Sequence, residues 1–316
     1  MSQERKVIIL TGANSGLGFE ALKQLIQHST PYHLILAVRN VAETEKAISA
    51  LTIPSQHSIE ISKLDLSSFT SVKSFAQGLL TRDPILPLNI LILNAATVKS
   101  KLSTTEDNLE TTFQTNHLSY FLLINLLLDR IKWSSEQQNK LESFNSRIIF
   151  VNSSLHKPGE GHNKIGPKLE IENLDGSKGY DSMLFYKNTK LAQMLFFYQL
   201  NKLLEEEKDE KKKISIFAIE PGFVPQTELA RESPSYVKLL MKYILPFASF
   251  TRTPEQGGAV IVYAATSPEL ESKSALYINK FCQIDKSSDD SYKEDLQKLW
   301  WNISCDLTGF EEKKLP

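Results

Sequence analysis

The feature that most constrains this chain is an alternation. Short β-rich apolar runs are each followed by a longer segment with helical periodicity. Strands covered on both faces read as continuous apolar runs, and helices between them return the chain for parallel pairing. The pattern predicts an α/β fold built on a doubly wound parallel sheet. Strands are expected at Lys6–Leu10, His33–Val38, Ser58–Lys63, Ile90–Leu93, Arg147–Asn152, Ser215–Ile219 and Ala275–Ile278. Helices are expected near Gly16–His28, Val41–Ala50, Ser68–Leu80, Leu109–Ile131, Phe185–Glu206 and Pro254–Ala265. No repeat or long linker interrupts them, so residues 1–316 are expected to form a single domain with a C-terminal extension over about 266–316.

Composition narrows the function classes. A formal net charge of −1 argues against a nucleic-acid partner held by bulk electrostatics. Cys282 and Cys305 form no CxxC or Cys/His cluster, which fits a reducing compartment and predicts neither a disulfide framework nor a metal site. Met1–Lys6 leads straight into Val7–Leu10 without a basic region and long apolar stretch, so neither signal peptide nor membrane anchor is expected. Tyr120–Leu128 is too short to span a bilayer. Tyr236–Phe250, interrupted by Lys238, Lys242 and Pro246, reads as a broken amphipathic helix, either a lid or core helix or a surface for a membrane or lipophilic substrate. The expected location is the cytoplasm, with peripheral membrane contact as the variant. Glu205–Lys213, dense in both signs of charge, reads as a solvated helix end and loop.

The first strand runs into Thr11-Gly12-Ala13-Asn14-Ser15-Gly16-Leu17-Gly18, and a helix follows. Glycines serve where a backbone turns sharply, approaches a phosphate, or packs a helix tightly on a sheet. The helix N-terminus then offers free N–H groups to a pyrophosphate. The spacing G-x-x-x-G-x-G differs from the commoner G-x-G-x-x-G, so its position after strand one carries the argument. The second strand ends in Ala37-Val38-Arg39-Asn40. An NAD-preferring fold usually places a carboxylate there for the ribose 2′-hydroxyl. Arg39 instead offers a guanidinium fork suited to a 2′-phosphate, which favours NADP(H) over NAD; an ordinary surface arginine is the competing reading.

Tyr186 and Lys190 lie four apart on a predicted helix and so share a face. A phenol with a pKa near ~10 is a poor proton shuttle at neutral pH, whereas a nearby ammonium and an oxidised nicotinamide would favour the phenolate. Alone, Y-x-x-x-K is a weak signal. Its context is not. The glycine turn, Asp65 in Leu64-Asp65-Leu66, Asn94-Ala95-Ala96, Asn116-His117, Ser153-Ser154, Tyr186-x-x-x-Lys190 and Pro221-Gly222 stand in the order of the short-chain dehydrogenases/reductases. The chain resembles that family from about residue 5 to residue 300, and through it the Rossmann fold. Thr115-Asn116-His117-Leu118, Tyr186–Leu191 and Glu255-Gln256-Gly257-Gly258-Ala259 resemble its retinol dehydrogenase and WW-domain oxidoreductase branch. Neither a WW domain nor the membrane anchor common in retinol dehydrogenases is expected ahead of the fold.

The resemblance implies roles. Tyr186, Lys190, Ser154 and Asn116 would be catalytic. Ser154 would hydrogen-bond the reacting oxygen, with Ser153 its close rival. The counterpart of Asn116 kinks its helix and holds a water that passes protons to the lysine; a locally satisfied helix asparagine is the alternative. Gly12, Asn14, Ser15, Gly16, Leu17, Gly18, Arg39, Asp65, Leu66, Asn94, Pro221, Gly222, Val224 and Thr227, with Tyr186 and Lys190, would face the cofactor. Asp65 would meet the adenine or its adjoining backbone, or else merely cap a helix before Ser67-Ser68. Asn94 would steady the sheet beside the adenosine ribose, and the Val224 backbone would meet the nicotinamide carboxamide.

Some residues depart from the family pattern. Ala95-Ala96 stand where a glycine is usual, and Thr227 comes one residue late, after an inserted Pro225. The long segment His156–Met183 is expected to border the substrate, and about 228–253 to form its lid. The reading is an NADP(H)-dependent oxidoreductase interconverting an aldehyde or ketone and an alcohol, on a lipophilic substrate such as a retinoid, steroid or fatty aldehyde. The alternatives are a cofactor-binding interaction protein with vestigial activity, and an epimerase or dehydratase on the same fold, which would usually retain NAD. An oligomer is allowed for: Leu191, Met194, Leu195, Phe197 and Leu200 suit either a four-helix interface or the core.

Overall fold

A computed structural model describes residues 5–139, 145–159, 165–207, 214–226, 239, 243, 248 and 250–310. Seven strands pair in parallel: β1 (Lys6–Thr11), β2 (Tyr32–Val38), β3 (Ser58–Lys63), β4 (Ile90–Leu93), β5 (Ser146–Val151), β6 (Ile214–Ile219) and β7 (Leu276–Ile278). β8 (Ile284–Asp285) adds an antiparallel edge, and the order is β3-β2-β1-β4-β5-β6-β7-β8. The chain builds outward from β1 to β3, then crosses back to place β4 on the other side of β1. Strand order reverses there, opening a crevice at the carboxyl ends of the strands.

Side chains alternate across each strand, so the sheet feeds two apolar layers. Ile9, Ile35, Leu91, Leu93, Ile148, Phe150 and Ile216 enter one, and Ile8, Leu10, Leu34, Leu36, Ile92, Ile149 and Phe217 the other. The first is covered by α3 (Phe69–Leu80), α4 (Ser119–Asn139) and α5 (Ser182–Glu206), the second by α1 (Gly16–Leu25) and α6 (Pro254–Thr266). Between β2 and β3 runs α2 (Val41–Ile48), capped by Asn40. α1 and α6 meet closely because Gly257 and Gly258 carry no Cβ. One added at Gly257 would lie 2.4 Å from Leu17 Cδ2, and one at Gly258 2.9 Å from Glu20 Cβ.

The expected single helix over Leu109–Ile131 is interrupted. Glu110 caps one α turn, Thr111–Phe113, which passes into a π turn, Gln114–Leu118, before α4 begins. The α5 helix starts earlier than Phe185, because Asp181 accepts a hydrogen bond from the Leu184 N–H at 2.8 Å and caps it at Ser182. Leu191, Met194, Leu195, Phe197 and Leu200 are all buried within the chain, so their apolar stripe serves the core. Most of the expected lid over about 228–253 lies outside the described residues, as do residues 208–213 of the charge-dense run. No helix among the described residues is long and apolar enough to cross a membrane.

The C-terminal extension contains α7 (Glu294–Thr308), a helix absent from the expected set. Trp300 and Trp301 are 2% and 1% exposed. Trp300 meets Phe113 at 5.8 Å between ring centroids, and Trp301 meets Phe121 at 5.1 Å edge-on. His117 Nε2 lies 2.9 Å from Ser304 Oγ, and burial lowers that histidine's pKa to about 3. The extension is therefore part of the core beneath the π turn. Removing a buried tryptophan loses its transfer free energy and leaves a void. Trp301→Ala is expected to destabilise the fold by about 3–5 kcal/mol in urea-unfolding measurements.

Candidate active site

The crevice between β1 and β4 is held by one hydroxyl. Thr11 Oγ1 accepts from the Asn94 and Ala95 N–H groups at 2.9 and 3.0 Å and lies 2.9 Å from the Tyr120 hydroxyl. Tyr120 in turn donates to the Ala95 carbonyl at 2.5 Å. The Asn94 side chain donates to the Thr11 and Gly12 carbonyls at 2.9 and 3.2 Å, tying the end of β4 to the glycine turn.

That turn leaves no room for side chains. Gly12 and Gly16 have φ of +67° and +54°. A Cβ on Gly18 would lie 2.2 Å from the Gly12 carbonyl oxygen, and one on Gly12 would lie 2.9 Å from the Ala95 methyl. Ala95 thus packs directly against the turn. Ser15 stands at the N-cap of α1 without a side-chain cap, and the first turn carries no acidic residue. Uncapped N–H groups at the positive end of a helix dipole are suited to an anion. Asn14, Ser15, Gly16 and Leu17 are partly exposed.

Arg39 is exposed just past β2, and Asp65 follows β3, its strand neighbour. Asp65 Oδ1 accepts from the Ser67 N–H and hydroxyl at 2.9 and 2.6 Å, while Ser68 rather than Asp65 caps α3. The Leu66 side chain is buried and its carbonyl accepts from Ser119 Oγ at 2.6 Å.

On the other side of the crevice, the first turns of α5 bring Tyr186 and Lys190 against the end of β5. Lys190 Nζ lies 5.6 Å from the centre of the Tyr186 ring. The ammonium donates to the Val151 carbonyl at 2.9 Å and to Gln193 Oε1 at 3.1 Å. Burial lowers its pKa to about 7. Burial pushes the Tyr186 pKa up and outweighs a hydrogen bond from Ser153 that pulls it down. The physical reason is desolvation, which disfavours the phenolate and weakens the lysine's charge together.

The serine pair separates by contact. Ser153 meets the Tyr186 phenol and also accepts from the Leu155 N–H at 3.3 Å. Ser154 opens a 3-10 turn, Ser154–His156, and its hydroxyl makes no hydrogen bond among the described residues. Behind it, His156 Nδ1 lies 2.6 Å from the Ser153 carbonyl and Nε2 accepts from the Ser288 N–H at 3.1 Å, with burial lowering the ring's pKa to about 4. Asn116 sits in the π turn. Its Oδ1 accepts from the Thr97 N–H at 2.8 Å and its Nδ2 donates to the Thr97 carbonyl at 2.9 Å. Its carbonyl accepts from Gln193 Nε2 at 2.6 Å.

Pro221 and Gly222 follow β6, with Gly222 at φ +83° and a Cβ there only 2.7 Å from Arg252 Cγ. Val224 is buried beside Gly257 and Leu17, joining this loop to the glycine turn. Thr227 lies outside the described residues. Around the site, Thr11, Tyr120, His156, Asn152 and Gln193 were not among the expected residues. Their signal was faint, since each is an ordinary polar residue by type and only pairing across the fold reveals its use.

The short chain dehydrogenase profile matches residues 6–164. Retinol dehydrogenase 11 of Homo sapiens is 32% identical over 305 residues, covering 96% of this chain and 86% of that protein. The WW domain-containing oxidoreductase of Homo sapiens is 35% identical over 298 residues, 93% of this chain, which spans 66% of that relative's own length. Among solved structures, an uncharacterized protein from Mycobacterium Paratuberculosis aligns with a TM-score of 0.71 at 25% identity over 98% of this chain and 95% of that one. An NADPH-bound carbonyl reductase from chicken fatty liver shares the fold at TM-score 0.60 and 19% identity, over 89% and 99% of the two chains. The order of the strands, the glycine turn beneath Asn94 and the Tyr186–Lys190 helix thus agree with sequence kinship, and the chain belongs to the short-chain dehydrogenase family.

Proposed function

We propose that this protein is an NADP(H)-dependent oxidoreductase interconverting a carbonyl and an alcohol. The observation that carries the reading is the buried group of Tyr186, Lys190 and the serine pair at the carboxyl end of β5, in the same parallel sheet whose β1 leads into the glycine turn. The residues fit a dinucleotide. Gly12, Gly18 and Gly222 stand where a Cβ would collide with neighbours, and the uncapped α1 N-terminus suits a pyrophosphate. Gly16, Asn14, Ser15 and Leu17 would line that end, Asp65, Leu66 and Asn94 the adenosine side, and Pro221 and Val224 the nicotinamide side, with Thr227 assigned to the cofactor phosphates. When bound, the nicotinamide supplies or accepts the hydride.

This chain's own residues handle orientation and the proton. Burial keeps the Tyr186 hydroxyl protonated at neutral pH, so it can donate to the oxygen of a carbonyl that gains negative charge. Ser154, with an unengaged hydroxyl, hydrogen-bonds that same oxygen, and Ser153 orients the phenol. Lys190 favours the phenolate when the reaction runs toward the carbonyl, and Asn116 anchors the π turn behind it.

Arg39 supports the choice of cofactor, because no carboxylate stands at the end of β2 and the guanidinium is exposed. The fold itself does not choose: solved neighbours include chains bound to NADPH and to NADH. A lipophilic substrate is supported by the retinol dehydrogenase relatives and by exposed Phe223 and Phe250, whose rings stack at 6.2 Å beside Gly222. The same apolar rim would suit a cytoplasmic chain that visits a membrane surface.

Tyr186→Phe is expected to keep NADPH affinity and lose about 10²–10⁴-fold in kcat, measured by NADPH consumption with a panel of lipophilic aldehydes and ketones. Wild-type turnover in that variant would remove the proton-transfer role. Arg39→Ala is expected to weaken NADPH binding by roughly tenfold to a hundredfold, the value of a charge-assisted hydrogen bond, while leaving NADH binding unchanged. Equal losses for both nucleotides in fluorescence titrations would contradict the assignment of Arg39.

A further inference from the structure

Lys190 does not stand alone with Tyr186. One turn further along α5, Gln193 is 1% exposed and all its polar atoms are engaged. Its Oε1 receives Lys190 Nζ at 3.1 Å and Asn152 Nδ2 at 3.2 Å, and its Nε2 donates to the Asn116 carbonyl at 2.6 Å. Asn152 also donates to the Lys190 carbonyl at 3.0 Å. These partners fix which way the amide points, since two donors meet the oxygen and a carbonyl meets the nitrogen. Flipping it would set donors against donors and acceptor against acceptor.

We propose that Gln193 is a positioning residue for Lys190, holding the ammonium beside Tyr186 and linking it by fixed hydrogen bonds to the Asn116 carbonyl. The inference rests on the oxidoreductase reading for its consequence, though not for its geometry. A buried ammonium is favoured by each acceptor that meets it, and here Val151 and Gln193 supply two. Among the described residues no carboxylate meets the Lys190 amine, and the titratable ring nearest it on the serine loop, His156, is kept neutral by burial. Gln193 therefore favours the charged form without neutralising the charge that Tyr186 uses.

The amide also changes the character of the connection. A carboxamide donates and accepts, but at neutral pH it neither takes up nor releases a proton as an acid or base. Gln193 holds the span between Lys190 and the π turn as a clamp.

The test compares the full-length wild type with Gln193→Met, which keeps length and loses both polar atoms, and Gln193→Glu, which keeps an acceptor and adds charge. The titration of Lys190 is followed by NMR on protein carrying heavy carbon at lysine Cε, with Lys190→Met assigning the signal. The expected result is opposite movement: Gln193→Met lowers the Lys190 pKa by about one unit and Gln193→Glu raises it. In the same proteins, Gln193→Met is expected to lose about tenfold in kcat near neutral pH with the KM for NADPH unchanged. A merely structural glutamine would alter stability without moving the titration in opposite directions. An unchanged Lys190 titration in both variants overturns the proposal. Opposite shifts in a wild type that turns over no carbonyl would uphold Gln193 as the clamp and overturn the oxidoreductase reading.

Discussion

An ammonium taken out of water must be met by acceptors, and much of this molecule's architecture converges on meeting one. Lys190 is 3% exposed, and its charge is shared between the last carbonyl of β5 and the Gln193 amide. Those contacts require that α5 lie across the end of the sheet and that the π turn bring the Asn116 carbonyl within reach of Gln193. The π turn is braced in turn by Phe113 and His117 against α7. A helix at the end of the chain thus supports the geometry of a lysine near its middle. Burial opposes charge on Lys190 and Tyr186 alike.

The other half of the crevice rests on packing rather than charge. Thr11, Asn94, Ala95 and Tyr120 join β1, β4 and α4 through a cluster of hydrogen bonds, and Gly18 lies close beneath them. This keeps the α1 N-terminus open. Val224 and Gly257 then connect the loop after β6 to Leu17, so the two ends of the proposed cofactor site are mechanically joined.

The seven parallel strands were legible in the sequence as short β-rich runs, and the structure moves their ends by about a residue, whereas the edge strand β8 was not expected. The glycine turn, the Tyr186–Lys190 pair and the Pro221-Gly222 turn were also legible, as residue types at fixed positions after strands. Three things were not. The π turn at Gln114–Leu118, for which the resemblance implied only a kink at Asn116, is set by Glu110 capping and by the packing of Phe113 and His117, which local periodicity does not encode. The helix α7 mixes charged residues with two tryptophans, and its burial depends on a groove made by distant segments. Gln193 reads as a plain helix residue until Asn116 and Asn152 are placed beside it. Spacing also reveals the charge beside Tyr186 but not how far both groups are removed from water.

The central claim is hydride and proton delivery to a carbonyl at the Tyr186 crevice. It is tested most directly by incubating the protein with NADPH deuterated at the nicotinamide C4 and a panel of lipophilic aldehydes and ketones, and analysing the alcohols by mass spectrometry. The account predicts deuterium on the carbinol carbon of at least one product, transferred from one face of the ring only. Bound NADPH that passes deuterium to none of them would contradict it.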